Sequence, residues 1–399
     1  MMMDAWINLI TDLSSSYLAN VFVALSVACL LAALHPFLTY PLSLWFLSRF
    51  RPRPLKPAAD ATYEPELAIL MCAYNEEHVI EAKAENLLKL KAAYPNVELL
   101  IYVDAASDRT AELLKPYEDQ IRVVVSRERT GKTPGMNLLM SMVQKPIIMF
   151  TDANVMIDME APKRLMRYFA DPKVGCVAGH LRYTNADASV TAGSGSLYWQ
   201  LEEWIKRRES EIGSCMGADG SLFAIRRSLH TPPPAELCDD MYVSLHVLCQ
   251  GARVVQADDV TAYEESVTSA AEEFSRKARI ACQSFNAHQQ LWPSLRRCSP
   301  LVIYQYLSHK WLRWFAIAWL AGAAVFGELA LIAHKQLLMA WVVPLGAAGL
   351  LLVGYLGWER RLSQLWDILT AFAGTGLGVF QSMRGRSYRT WTPAASIRK

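Results

Sequence analysis

Carboxylates in this chain stand where short apolar runs end. Glu76 follows Ala73-Tyr74-Asn75, Asp104 follows Val103, and Asp152 opens Asp152-Ala153-Asn154. An acidic pair, Asp239-Asp240, comes later, directly after Cys238. A carboxylate at a strand end can accept a hydrogen bond from a nucleobase N–H or a ribose hydroxyl, which suits Glu76 and Asp104. Alone, either would pass for a turn or helix-capping acid. Asp152 and Asn154, two apart on an extended segment, project to the same side. Mg²⁺ or Mn²⁺ prefers a carboxylate, phosphate oxygens and water. Asp152 is then the direct ligand, and Asn154 offers a neutral oxygen. Asp240 is the choice for a general base toward a hydroxyl. Asp239 beside it could orient a partner or raise its pKa by like-charge repulsion. An acidic pair is also an ordinary way to open a helix. Lys132, after Gly131, could touch phosphate or be a plain loop lysine. No G-x-x-x-x-G-K-[ST] occurs, and no G-x-G-x-x-G follows the first apolar run, so phosphate-loop and dinucleotide readings lose support.

The elements that must hold these residues alternate. Short apolar runs at 66–72, 98–103, 121–125 and 146–150 read as buried strands, and helical spacing covers 77–91, 110–115 and 135–143. A further helix is expected at 241–248. Strand–helix alternation predicts a parallel sheet with helices on both faces. In such sheets ligands bind at the carboxyl ends of the strands, where Tyr74-Asn75-Glu76, Asp104 and Asp152 fall.

Composition adds a membrane. The hydrophobic share of 52% is high for a soluble protein, and the excess lies before residue 50 and after residue 300. The apolar run 18–34 continues past Pro36 and Pro41 to Leu47 and is followed at once by Arg49, Arg51, Arg53 and Lys56. By the positive-inside rule the amino terminus is outside and the next domain is cytoplasmic. The Pro-rich stretch 51–65 reads as a linker. Segments 311–333 and 337–358 are long enough to span. Segment 365–383, with Asp367 and Gly374-Thr375-Gly376-Leu377-Gly378, leaves the side of the basic tail 386–399 (Arg386, Arg389, Arg398, Lys399) open. The expected division is a membrane segment at 1–50, the linker, a cytoplasmic domain at 66–300, interfacial and spanning helices at 301–385, and the tail. A net charge of +2 gives no argument for nucleic acid. The eight cysteines form no C-x-x-C pair and read as reduced thiols.

Read in order from about Leu67 to Gln283, these residues resemble the family-two inverting glycosyltransferases of GT-A fold, α/β and Rossmann-like. The branch is the membrane-integrated one that holds cellulose, chitin and hyaluronan synthases and ceramide glucosyltransferase. The resemblance implies that Ala73, Tyr74, Asn75, Glu76 and Asp104 hold base and ribose, and that Lys132 approaches the diphosphate. It puts Asp152 and Asn154 at the D-x-D metal motif, with Mg²⁺ or Mn²⁺. It makes Gly217-Ala218-Asp219-Gly220, backed by Arg226-Arg227, the acceptor-side loop, and Asp240 the base within Cys238-Asp239-Asp240. Two departures matter. Asn154 replaces the second acid of D-x-D, which weakens metal dependence. The Q-x-x-R-W of processive synthases reads Arg276-Lys277-Ala278-Arg279-Ile280. Arg279 is kept and meets the diphosphate, but the Gln and the acceptor-binding Trp are replaced, which argues for short additions.

The resemblance thus implies an inner-membrane, multi-pass enzyme. It would move a sugar, from a UDP-linked donor by preference, to a lipid-linked or polysaccharide acceptor in envelope or exopolysaccharide synthesis. Its partners would be the nucleotide sugar, the acceptor, membrane lipids and proteins of such a pathway, with no nucleic acid. A processive synthase and an inactive transferase-fold scaffold are the alternatives. Two aromatic groups remain. Tyr198-Trp199 with Glu202-Glu203-Trp204 could stack on sugar but reads better as core or interfacial anchor. Ser308 to Trp314 mixes bases with tryptophans and reads as an interfacial belt, with contact to a lipid diphosphate as the minority reading.

Overall fold

The computed structural model describes residues 2–50, 66–185 and 188–393. The expected linker and the basic residues Arg51, Arg53, Lys56, Arg398 and Lys399 lie outside them. The amino-terminal part is two helices, α1 (Met2–Leu34) and α2 (Thr39–Phe50). The first half of the domain alternates as its apolar runs require: β1 (Leu67–Ala73), α3 (Ile80–Ala93), β2 (Val97–Val103), α4 (Thr110–Leu114), β3 (Arg122–Val125), α5 (Lys132–Met142) and β4 (Ile147–Asp152). Then come β5 (Met156–Ile157), α6 (Ala161–Tyr168), β6 (Val174–Tyr183), α7 (Val190–Ile212), β7 (Leu222–Arg226), α8 (Asp239–Cys249), β8 (Arg253–Glu264) and α9 (Ala270–Leu295). The carboxyl-terminal part is α10 (Pro300–Tyr306), a π-turn (Leu307–Trp311), α11 (Leu312–Trp314), α12 (Ala316–Ala333), α13 (Leu337–Tyr355) and α14 (Arg360–Met383).

The strands form one sheet in the order β3-β2-β1-β4-β7-β6-β8-β5. The parallel expectation holds for β3, β2, β1 and β4; beyond β4 the sheet is mixed, with β6 and β8 paired in parallel. There β7 runs antiparallel to both β4 and β6, and β5 runs antiparallel to β8. Strand periodicity divides the core. Leu67, Ile69 and Met71 face one cluster with Ile80, Ala84 and Leu87 of α3, while Ala68, Leu70 and Cys72 face another with Met136 and Leu139 of α5 and Leu245 of α8. Both faces of β1 are therefore covered, which is why its seven residues are all buried. The rigid centre of the sheet aims the ends of β1, β2 and β4 at one rim.

Among the described residues, three helical segments are long and apolar enough to cross a membrane: Ser16–Leu34, Ala316–Ala333 and Leu337–Tyr355. The first two pack closely. Ser26 Oγ donates to the Ala323 carbonyl at 2.8 Å, and Phe22 stacks on Phe326. The segment left open by hydropathy, α14, is not among the three. It lies against α9, and its glycines explain how. A Cβ on Gly378 would overlap the Ala278 carbonyl and crowd Ala281, and one on Gly374 would crowd the Phe274 carbonyl. The two helices thus meet backbone to backbone.

This contact gives a stability test. Gly378→Leu forces α14 off α9, an overpacking that costs about 1–3 kcal/mol or more. Its melting midpoint in detergent should fall by several degrees. Wild-type melting would show that the helices separate without cost.

Candidate active site

Two loops at the rim are zipped together. Asn75, at φ 53°, accepts from Ser107 N–H at 2.8 Å. Glu76 N–H donates to Thr110 Oγ1 at 2.8 Å, and Glu77 N–H donates to Asp108 Oδ2 at 3.0 Å. These bonds fix the loop that follows Tyr74 against the loop after β2. Asp104, fully buried, accepts from Thr130 N–H at 2.7 Å and Gly131 N–H at 3.0 Å. In this state its carboxylate shapes the loop that leads into Lys132. Glu76 is also buried.

Beyond that loop the acids converge on one cation. Lys132 Nζ is 2.7 Å from Asp152 Oδ1 and 3.7 Å from Asp239 Oδ2. Burial opposes the charge of Lys132, but Asp152, Asp239 and Asp240 outweigh it and hold its pKa well above the ordinary value. Asp239 is 8% exposed, and its Oδ2 is a buried atom with no hydrogen-bond partner. Asp240 Oδ1 accepts from Cys238 Sγ at 2.9 Å and from Met241 N–H at 2.6 Å. Both bonds fall on one oxygen and leave Oδ2 facing the loop at Gly220, where an added Cβ would lie 3.1 Å from it. Burial, then Asp239 and Asp219, push the Asp240 carboxyl up to about 6. A carboxyl so placed can take a proton near neutral pH.

The Gly217–Gly220 loop, expected on the acceptor side, is held at both ends. Gly217 has φ +100°, in the region that favours glycine. Ala218 N–H donates to Ser244 Oγ at 2.9 Å, and Ser244 Oγ donates to the Asp240 carbonyl at 2.6 Å. Asp219 folds back on Ser221 N–H at 3.0 Å. Arg226, expected behind this loop, braces the far side of the sheet through the Val174 and Phe169 carbonyls. Arg279 donates to Gln283 Oε1 at 3.1 Å, close enough to feel Cys238, Asp152 and Asp239. Arg276 is taken up by Glu273 on its own helix at 2.8 and 3.2 Å. Asn154 does not face Lys132 with Asp152: its amide donates to Glu264 Oε1 at 2.8 Å, and burial raises the Glu264 carboxyl to about 7.

Several functional-looking groups were not legible in the sequence. Lys83, fully buried on α3, donates to Thr151 Oγ1 at 3.1 Å and to the Val155 carbonyl, and so clamps the turn that carries Asp152. Burial lowers its pKa to about 7. In a helical stretch read only for apolar spacing, nothing marked it out. The segment after α14 is the larger surprise. Its backbone crosses Gly131 so closely that a Cβ there would meet the Arg389 carbonyl. Arg389 pairs with Glu236 at 2.6 Å, and the Tyr388 carbonyl accepts from Gln283 at 2.9 Å. The Arg129 guanidinium lies 3.5 Å from the Tyr74 ring centre and donates to the Trp391 carbonyl, while Trp391 meets Tyr74 edge-on at 5.8 Å. The tail therefore caps the Tyr74 edge.

Two aromatic groups are settled by burial. Trp199 donates to the Leu181 carbonyl at 3.1 Å and packs with Tyr183, on the core side as favoured. The stretch from Ser308 to Trp314, expected as an interfacial belt, turns part of its residues into the protein, while Lys310, Trp311 and Leu312 are half-buried. Ser308, His309, Arg313 and Trp314 are buried, because carboxylates of α7 draw the basic residues inward. Among the described residues one group, His180, Glu203 and Asp258, has ligand atoms close enough for a metal ion. Protein partners already occupy it: His180 and Gln256 bond Glu203, and Arg207 pairs with Asp258. The eight cysteines are free thiols, in keeping with the reduced reading.

Residues 68–231 match the family model described as Glycosyl transferase family 2. The poly-beta-1,6-N-acetyl-D-glucosamine synthase of Staphylococcus aureus (strain COL) is 30% identical over 177 residues, covering 43% of this chain and 42% of that one. The protein of the same name from Staphylococcus epidermidis is 26% identical over 165 residues, 41% of this chain and 40% of that one. The chain thus spans less than half the length of the curated relatives it matches. Among solved structures, the mannosyltransferase PcManGT from Pyrobaculum calidifontis, in complex with GDP-Man and Mn²⁺, is similar with a TM-score of 0.71. The match covers 92% of this chain and 99% of that one at 20% identity. That likeness is one of fold, and it is the GT-A fold expected from the sequence.

The raised Asp240 carboxyl has a consequence for stability. Its ordinary value is 3.8 and its folded value about 6. Between these the folded state binds more protons than the unfolded one, so stability falls as pH rises through the window. Asp240→Asn removes that cost. It should melt above wild type at about pH 7.5, and the gap should close toward about pH 4. An equal or lower melting midpoint at the higher pH would mean that the carboxylate is well paired.

Proposed function

We propose, from the match of residues 68–231 to the Glycosyl transferase family 2 model, that the chain is a membrane-bound inverting glycosyltransferase. It takes a sugar from a nucleotide-sugar donor, UDP-linked by preference, to a lipid-linked or glycan acceptor. The observation that carries the reading is the convergence of Asp152, Asp239 and Asp240 on Lys132 beside the Gly217–Gly220 loop. Tyr74, Asn75, Glu76 and Asp104 frame the base and ribose, with Arg129 and Trp391 at the mouth. Diphosphate oxygens entering beside Asp152 meet the Lys132 ammonium, and Arg279 lies within electrostatic reach of the same acids.

The donor set fits a divalent ion. Asp152 and Asp239 Oδ2, which accepts no hydrogen bond, flank the point where Lys132 places its charge. Asp152 would hold the ion, which when bound would neutralise the departing diphosphate. The chain's own residues do the rest. Asp240 Oδ2 takes the proton of the acceptor hydroxyl as that oxygen bonds to the anomeric carbon. The bond from that carbon to the diphosphate breaks, and the nucleoside diphosphate leaves with the electron pair. Attack opposite the leaving group inverts the centre.

Crossing by three helices would leave the domain, α14 and the tail on one side. That agrees with the packing of α14 on α9 and of Trp391 on Tyr74. The inner membrane with a cytoplasmic domain is the arrangement that the Arg49 flank and the cytoplasmic supply of nucleotide sugars favour. A second reading, processive synthesis, is favoured by the name of the curated relatives. Against it stands the replacement of the synthase Gln and Trp by Arg276 and Ile280.

Membranes containing the protein, offered a panel of nucleotide sugars, should release nucleoside diphosphate from one of them. Release from none would sink the reading. Sizing the radiolabelled product separates short additions from polymer. Asp240→Asn should lower transfer on the order of 10²-fold while donor binding persists. Asp152→Ala should lose the response to Mg²⁺ or Mn²⁺. Full activity after EDTA treatment would remove the metal assignment.

A further inference from the structure

One buried ionic group takes no part in the chemistry above. It lies where the membrane helices meet the domain. The π-turn after α10 inserts a residue into the helix and carries Ser308 and His309 inward, with exposures of 3% and 0%. His309 stands between two buried glutamates of α7. Its Nδ1 is 2.8 Å from Glu209 Oε1, and its Nε2 is 2.9 Å from Glu202 Oε1. Lys310 and Arg313 also reach Glu202, and Tyr40 of α2 donates its hydroxyl to Glu209. Ser308 Oγ bonds His35 at 2.9 Å. His35 and Tyr40 follow the first candidate span directly, and His309 precedes the second.

The group is tied to the catalytic rim by one bond. Glu209 has a second oxygen, Oε2, and it accepts from Met216 N–H at 3.0 Å. Met216 begins the loop whose next residues are Gly217, Ala218, Asp219 and Gly220. From there the chain of contacts runs through Ala218 N–H and Ser244 to the Asp240 backbone, and through Gly220 to Asp240 Oδ2. A clamp serving only packing would be as stable with apolar residues of similar volume. This one spends a buried carboxylate oxygen on the backbone of a loop that faces the proposed base.

We propose that His309 is a positioning residue for the acceptor side of the site: by bridging Glu202 and Glu209 it holds Glu209 against Met216 N–H and keeps the Gly217–Gly220 loop in register with Asp240. The loop is thereby fixed to the corner where two membrane helices enter the domain, so an acceptor held at the membrane meets the base at a set distance. The inference rests on the transferase reading for its effect on turnover but not for its effect on the loop.

The test compares wild type with His309→Gln, Glu209→Gln and Glu209→Ala in detergent, each checked for a single melting transition. Hydrogen exchange of the peptide covering 213–221 is read against peptides from β1 and β4. Transfer to acceptor is read against affinity for nucleoside diphosphate. In His309→Gln and Glu209→Ala the loop amides should exchange about tenfold faster or more while β1 and β4 stay protected. Transfer should fall at least about tenfold, since small misplacements at a reacting centre are costly, with nucleoside-diphosphate affinity unchanged. Glu209→Gln keeps an acceptor for Met216 and should fall between. Unchanged loop exchange in His309→Gln or in Glu209→Ala would overturn the proposal, as would equal loosening of β1 and β4. If wild type turns over no nucleotide sugar, the transferase reading fails, and the exchange data still decide the positioning role.

Discussion

Everything at the rim depends on the Lys132 ammonium lying among Asp152, Asp239 and Asp240. Two carboxylates at about 4 Å repel by roughly 4 kcal/mol at an effective dielectric of about 20, so such a cluster needs a cation or a bound proton. Lys132 supplies that charge at 2.7 Å from Asp152 and 3.7 Å from Asp239. The fold exists to bring the four together. Parallel pairing of β1 and β4 carries Asp152 to the same rim as Tyr74. Gly131 starts α5 with Lys132 as its first residue, and α8 opens with Asp239 and Asp240. The balance also explains how the site can change state. On the proposed reading, a ligand that brings its own charges competes with Lys132 for the acids, and Asp240, pushed up by burial, exchanges a proton with the acceptor.

Much of this was legible in the sequence for a definite reason. Strands buried on both faces give unbroken apolar runs, and in a parallel sheet the residues just past them share a rim. Tyr74, Asp104 and Asp152 could therefore be placed without coordinates. The second half of the sheet was not legible, because β6, β7 and β8 pair across long separations and mix directions. Lys83 was hidden because a lysine on a helix is ordinarily solvated, and only the tertiary turn at Thr151 and Val155 makes use of it. The contacts of Trp391 with Tyr74 and Arg129 span more than half the chain. The Ser308–Trp314 stretch was read as a belt from its composition, while its basic residues in fact answer Glu202 and Glu209.

The apolar helices and the sheet domain are joined through polar contacts. Tyr40 reaches Glu209, the π-turn reaches the same glutamate, and α14 lies on α9 with its tail across Gly131. The helices α9 and α14 thus connect Arg279 and the tail cap, while α7 connects the corner at His309 with the Gly217–Gly220 loop.

The most direct test of the central claim is an experimental structure of the full chain with Mn²⁺ and the nucleoside diphosphate that its own turnover releases. The account predicts the base against Tyr74, the diphosphate between Lys132 and Asp152, and Asp240 Oδ2 facing the vacant sugar position beside Gly220. A nucleotide bound away from Tyr74, or a diphosphate that leaves the contact between Lys132 and Asp152 undisturbed, would contradict it.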